Sequence, residues 1–251
     1  MIRDVVIDNP PLNLVDGGLL GTITALLDQL DGSDDVHVVV FRSADPDFFL
    51  MHGDVEQLVA VPSHDFTSPT EPNLAVQVFR RLAEAPFVSI GVLDGYARGG
   101  GCEFLCALDL RFGSRRAVVG QPEVAMGILP GAGGTVRWPR LVGRARALEI
   151  LLTGRDVAAD ELLAIGWLNG IDVDVDQLVR RIDAMPGASI AAVKRVLDSA
   201  DPWLAESTEL ARLMAVGAHT ERMRRFLDAG GQTRVGETRD IAPLLGAMLD
   251  P

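Results

Sequence analysis

The chain is short of several things that would narrow its chemistry. Its 251 residues include two cysteines, one tyrosine, four histidines and a single lysine, Lys194. Cys102 and Cys106 stand four apart on one helical pattern, where Cβ atoms lie about 5 to 6 Å from each other, so they read as small core residues of a reducing compartment rather than a disulfide. His37, His52, His64 and His219 show no i, i+4 spacing, and no metal site is expected. Positive charge is also scarce, with 23 Lys and Arg against 35 Asp and Glu for a net charge of −12. That balance excludes a partner held by a basic field, nucleic acid above all.

Long apolar runs are missing as well. No stretch approaches the roughly 18 residues that cross a bilayer, and the opening MIRDVVIDNPPLNL has no secretory apolar segment. A soluble, cytoplasmic protein without a membrane partner is the expectation. Neither glycine cluster completes G-x-G-x-x-G, because Phe104 and Val136 occupy the last positions. The phosphate loop G-x-x-x-x-G-K-[ST] fails at Lys194, which follows Val193, and no G-x-S-x-G elbow occurs.

What is present is an apolar chain, 48% hydrophobic, long enough to bury a substantial core. RDVVID and DVHVVVFRS read as strands flanking GGLLGTITALLDQLDG, whose Leu19, Leu20, Ile23, Leu26, Leu27 and Leu30 recur at helical spacing. The apolar run at 36–41, broken only by His37, suits a strand buried on both faces. A proline-marked stretch from Pro62 to Pro72 reads as a mobile loop, LAVQVFRRLAEAP as a helix stopped at Pro86, and FVSIGVLDG as another buried strand. The recurrence of strand, glycine turn and helix predicts an α/β core with a parallel sheet over 1–145. Helical patterns then dominate 146–251, among them PWLAESTELARLMAVGAHTERMRRFLDAG, with a flexible tail from about residue 230.

Three consecutive glycines, Gly99, Gly100 and Gly101, precede an apolar helix carrying Glu103. A helix N-terminus presents unpaired amides with partial positive charge, and without a Cβ a ligand oxygen can reach the Gly100 N–H. A second such amide is Gly53 in FFLMHGDV, where Asp54 suits a helix N-cap and leaves the glycine free. Glu103 shares the helix face of Gly100 three residues away. Glu123 follows Pro122 at a strand end or turn, and paired carboxylates in a dry pocket divide acid and base duties. Each feature also has a plainer reading: glycines that allow packing, a solvated glutamate, a packed histidine at His52, a tight loop at PGAGGT.

In their order and spacing, NPPLNLVDGGLLGTITALLDQL, FFLMHGDV, DGYARGGGCEFLCALDLR and GQPEVAMGILPGAGGTVRWPRLVG resemble segments of the enoyl-CoA hydratase/isomerase family, the crotonase superfamily, over roughly residues 5 to 170. The resemblance implies a crotonase-like spiral of ββα repeats with a helical C-terminal region used in trimerisation, and a homotrimer or a hexamer of two trimers. It implies an acyl-CoA thioester substrate that brings its own coenzyme A and needs no other cofactor. The thioester oxygen would sit between the amides of Gly53 and Gly100, with Met51, His52, Asp54, Val55, Gly99 and Gly101 around the substrate and Met51, Gly53 and Val55 following coenzyme A by their backbone. Glu103 would hold and activate water, and Glu123 would deliver the proton to Cα. Hydratases of the family carry both glutamates whereas many isomerases keep the later one. A hydratase is therefore implied, with an isomerase, another acyl-CoA enzyme or a non-catalytic acyl-CoA-binding protein as alternatives. His52 stands where the family loop carries a small residue, and Glu56 where a lysine is common.

Overall fold

Each recurrence of strand, turn and helix sends its first strand into one sheet and its second into another. The computed structural model describes residues 1–33, 35–62, 69–238 and 241–249. First strands form a five-stranded parallel sheet in the order β1 (Ile2–Ile7), β2 (Val38–Ser43), β4 (Val88–Leu93), β6 (Leu110–Gly113) and β9 (Gly170–Ile171). Second strands form a four-stranded sheet, β3 (Phe48–Leu50), β5 (Tyr96–Arg98), β7 (Val118–Gly120) and β8 (Val157–Ala158), in which β8 alone is antiparallel.

The apolar character of β2 follows from its place. It pairs with β1 from Ile2↔Val38 to Ile7↔Ser43 and with β4 from Val38↔Val88 to Phe41↔Gly91, so Val38 to Phe41 are buried throughout. Helix α1 (Gly17–Leu30) is capped by Asp16, whose side chain accepts from the Leu19 N–H at 2.8 Å, and buries the six periodic residues read from the sequence. Helix α3 (Leu74–Glu84) starts at its cap Asn73, ends before Pro86 and packs Phe79 against Phe104 with ring centroids 5.5 Å apart. Phe104 belongs to α4 (Gly100–Ala107), every residue of which is buried; Phe41 also meets it edge-on at 5.2 Å. An apolar surface all round is what a helix enclosed on all sides requires, and it makes Glu103 the exception on α4.

The compact unit runs from Met1 to Val179 and a second from Arg180 to Pro251. The sequence places the change to helices near residue 145, and α5 (Gly134–Val142), α6 (Arg144–Thr153) and α7 (Ala159–Ala164) lie there. The first unit nevertheless extends beyond them because β8 and β9 still close the two sheets and Trp167 and Leu168 remain in its core. It ends within α8 (Val175–Asp183), where Val175 and Val179 are buried.

In the second unit α9 (Gly187–Leu197) is followed by a stretch that the sequence pattern runs together and the structure divides. Gly217, at φ 81°, closes α10 (Pro202–Val216), and α11 (His219–Asp228) begins afresh. Beyond residue 230, where a flexible tail is expected, the chain forms α12 (Arg234–Glu237) and α13 (Ala242–Leu249); Leu244 is buried and Arg222 Nη1 donates to the Met248 carbonyl at 2.9 Å. Of the Pro62–Pro72 loop, residues 63–68 lie outside the described residues. Among the described residues no helix is long and apolar enough to cross a membrane.

Candidate active site

The loop after β3 is held by its backbone. The Met51 N–H donates to the Asn13 carbonyl at 2.8 Å, the Met51 carbonyl accepts from the Gly101 N–H at 2.9 Å, and the His52 carbonyl accepts from the Val15 N–H at 3.1 Å. Asp54 caps α2 (Val55–Ala60), accepting from the Gln57 N–H at 3.1 Å. Between these fixed groups the Gly53 amide finds no acceptor among the described residues.

The glycine triplet is explained residue by residue. Gly99 has φ 53°, and a methyl there would lie 2.8 Å from both Glu123 Oε1 and His52 Cβ. At Gly101 a methyl would run into the Leu50 carbonyl, which lets α4 pack directly on β3. Gly100 lies between them, where a methyl would come within 3.2 Å of Val15 Cγ2 and 3.5 Å of the Gly53 nitrogen. Its own N–H has no acceptor among the described residues, so two open amides from loops far apart in sequence arrive side by side.

Glu103 is 3% exposed. Its Oε1 accepts from the Ala132 N–H at 2.8 Å, in the loop that leads into α5, and from the Gly134 N–H at 2.7 Å, at the first residue of that helix. Burial pushes the Glu103 carboxyl above its ordinary range, while those two amides and the positive charge of Arg137 pull it back. Glu123 opens a 3-10 turn, Glu123–Met126, after β7. Burial, with the nearby Glu103 charge adding to it, raises its carboxyl to about 7. With its amide nitrogen turned toward Glu123, Gln121 donates to both carboxylate oxygens at 3.1 and 3.0 Å while its carbonyl accepts from Trp138 Nε1 at 3.3 Å.

Glu103, Glu123, Gly53 and Gly100 all line one cavity of about 530 Å³. Its other walls are mostly apolar, with Val15, Leu20, Leu58, Val59, Ile128 and Leu129 prominent. Of the residues expected around a substrate, His52, Gly53, Val55 and Gly100 line it; Met51, Asp54, Gly99 and Gly101 do not. The Met51 N–H is taken up by the Asn13 carbonyl, and its carbonyl already accepts from the Gly101 N–H. Asp54 is occupied as a cap, and Gly99 and Gly101 shape the backbone behind the cavity. The residues that sequence reasoning missed are Ala132 and Gly134, which hold Glu103, and Gln121, which holds Glu123. The signal for the first pair was the loop PGAGGT itself, since glycines ahead of a helix leave amides unpaired. Among the described residues no group of three or more His, Cys, Asp or Glu is placed to hold a metal ion.

The family model for enoyl-CoA hydratase/isomerase matches residues 1–215. Among solved structures, an enoyl-CoA hydratase of Geobacillus kaustophilus superposes with a TM-score of 0.83 at 25% identity, covering 90% of each chain. One from Bacillus anthracis gives 0.82 at 20% identity over 90% of this chain and 92% of its own. A Streptomyces avermitilis protein provisionally named an enoyl-CoA hydratase gives 0.71 at 34% identity over 98% of this chain and 94% of its own. These similarities make the ββα spiral a crotonase fold.

Proposed function

The chain belongs to the enoyl-CoA hydratase/isomerase family, whose members act on acyl-CoA thioesters, and from that footing we propose that it is a hydratase adding water across the 2,3 double bond of an enoyl-CoA. The observation that supports this reading is that two buried glutamates, Glu103 and Glu123, line one cavity together with Gly53 and Gly100, whose amides have no acceptor among the described residues.

Addition to a conjugated thioester builds negative charge on the carbonyl oxygen. The Gly53 and Gly100 amides would accept that charge as an oxyanion site, fixed in place before the reaction and sheltered from water; one such donor is typically worth about 3 kcal/mol. Glu103, held at Oε1 by the Ala132 and Gly134 amides, takes a proton from water as the water oxygen bonds to C3. The π electrons of the double bond move to C2 and onto the thioester oxygen. Glu123, raised to about 7 and so substantially protonated near neutrality, gives its proton to C2 as the enolate collapses. Return of the Glu103 proton to Glu123 through solvent restores the site. Coenzyme A enters as part of the substrate, and the reaction as written calls for no other group.

Incubation with crotonyl-CoA and longer 2-enoyl-CoAs tests the proposal through loss of the conjugated-thioester absorbance and a product heavier by one water. A product of unchanged mass assigns the site to isomerisation, and absence of turnover at every chain length by folded protein refutes enzyme action on these substrates. A homotrimer, or a hexamer of two trimers, is the assembly we propose. Exposed apolar side chains at Leu197, Trp203, Leu204 and Val216 support it, and light scattering that returns a monomer mass overturns it.

A further inference from the structure

Two polar side chains, His52 and Asn73, line the cavity without a task in the hydration. Asn73 is accounted for by the fold. Its Oδ1 caps α3 by accepting from the Val76 N–H at 3.0 Å, and its Nδ2 donates to the Gly131 carbonyl at 2.8 Å. His52 has no such structural duty at a helix end, yet its Nδ1 lies 2.9 Å from the Gly53 carbonyl oxygen. A carbonyl only accepts, so Nδ1 carries the proton of this bond.

The bond adds to the ties that Met51, His52 and Asp54 already make on either side of Gly53. Gly53 lacks the Cβ that restricts other residues, and its N–H is the group the chemistry needs fixed. The peptide before Gly53 is held by Val15, which donates to the His52 carbonyl at 3.1 Å; the peptide after it is held by the imidazole. His52 also reaches the second loop, since a methyl at Gly99 would lie 2.8 Å from its Cβ and 3.2 Å from its Cα. One residue thus ties down the carbonyl of Gly53 and packs on the backbone immediately ahead of Gly100.

We infer that His52 is a positioning residue that keeps the Gly53 amide in register with the Gly100 amide, so that one carbonyl oxygen meets both donors. This rests on the reading above only in that a thioester carbonyl is what the two amides receive. The bulk of the ring where the family loop carries a small residue is then a brace for an all-glycine pair of donors.

The test uses His52→Asn, which returns an N–H near the position of Nδ1, His52→Gln, which reaches instead toward Nε2, and His52→Ala. The first readout needs no turnover. Carbonyl-labelled butyryl-CoA, a saturated thioester, is bound to each protein, and the infrared shift of its C=O band from the free value is recorded. The wild type shifts the band to lower frequency, His52→Ala and His52→Gln lose at least about half of that shift, and His52→Asn retains most of it. With crotonyl-CoA, His52→Ala and His52→Gln lose about tenfold to a hundredfold in kcat with KM within about threefold, and His52→Asn recovers most of the loss. An unshifted band in the wild type, a full shift and full kcat in His52→Ala, or rescue by Gln in place of Asn overturns the inference. If the wild type shifts the band but never hydrates an enoyl-CoA, the hydratase reading fails while the infrared series still decides the role of His52. Should His52→Ala fail to fold, the Asn and Gln variants at matched melting temperature carry the comparison.

Discussion

Glu103 and Glu123 reach one cavity from supports of opposite character. Glu103 rides on the wholly buried α4 and receives two backbone N–H groups from 29 and 31 residues onward. Glu123 starts a one-turn 3-10 segment and is met by a neutral side-chain amide, that of Gln121. Burial lifts both carboxyls; two backbone amides and Arg137 oppose it at Glu103, while at Glu123 a backbone hydrogen bond opposes it, the charge of Glu103 adds to it, and the carboxyl rises to about 7. In the hydration proposed above, that difference suits Glu103 to take a proton and Glu123 to give one. The difference lies in what surrounds each, not in the side chain.

The largest effect comes from removing either member. Glu103→Gln and Glu123→Gln each lower kcat for hydration by about a thousandfold, the size expected for a positioned acid or base. Loss of rate alone does not separate their roles, but exchange does. In D2O, bound saturated acyl-CoA exchanges its C2 hydrogens through the group that faces C2, so exchange survives in Glu103→Gln and disappears in Glu123→Gln. Mass spectrometry of recovered butyryl-CoA reads the outcome, and the reverse pattern swaps the two assignments.

A smaller effect probes the backbone that holds Glu103. Adding a methyl at Gly134 places it 2.7 Å from Pro130 Cβ, 3.0 Å from Glu103 Oε1 and 3.1 Å from the Gln121 side-chain amide, so the start of α5 must shift and carry its amides with it. Gly134→Ala is expected to lower kcat by about tenfold, because a displacement of a fraction of an ångström at a reacting group is costly. Because the same methyl presses on Gln121, which bonds Glu123, and on Glu103, whose charge helps to raise Glu123, the pH limb governed by Glu123 should move as well. A limb that stays in place in Gly134→Ala would show that the two supports are independent.

The same contrast explains what the amino-acid sequence makes legible. The buried stripe of α1 and the double burial of β2 follow from local periodicity, which a linear reading captures. The shared face of Gly100 and Glu103 is equally local, being one helical turn. Ala132 and Gly134 reach Glu103 across some thirty positions, and only packing of α4 against α5 brings them together. Met51 shows the converse: its place in the loop is readable, but the bonds of its backbone to Asn13 and Gly101 depend on three separate segments meeting. At Gly217 the apolar pattern continues through a residue whose φ of 81° ends the helix, because composition marks the glycine without stating its conformation.

On the alkaline side, the proton of Glu123 sets the profile. Since the proposed hydration needs that carboxyl protonated and it titrates at about 7, log kcat/KM is expected to fall with a slope near one above that value, and to fall again on the acid side as the Glu103 base, itself raised by burial, takes up a proton. Stopped-flow or initial-rate measurements at low substrate across pH 5.5 to about 9 read this directly. A level profile up to about pH 9 would mean that the C2 proton has another source.

The smallest effect is on stability, and it is read at Glu123, whose carboxyl is raised to about 7. The Glu123 carboxyl titrates at about 7 when folded against an ordinary value of 4.5, so between those values the folded state holds a proton that the unfolded chain has released. Protein stability therefore falls as pH rises through that window, and the deficit is complete above it. Glu123→Gln carries no such proton and escapes the loss. The variant should melt close to the wild type at pH 4 and above it at pH 8, by about 1 to 2 kcal/mol once solvent at the cavity mouth is discounted. Paired thermal melts at the two pH values measure the gap. A gap that does not widen with pH would mean that burial imposes no proton on Glu123, and the division between acid and base would then have to rest on Glu103 alone.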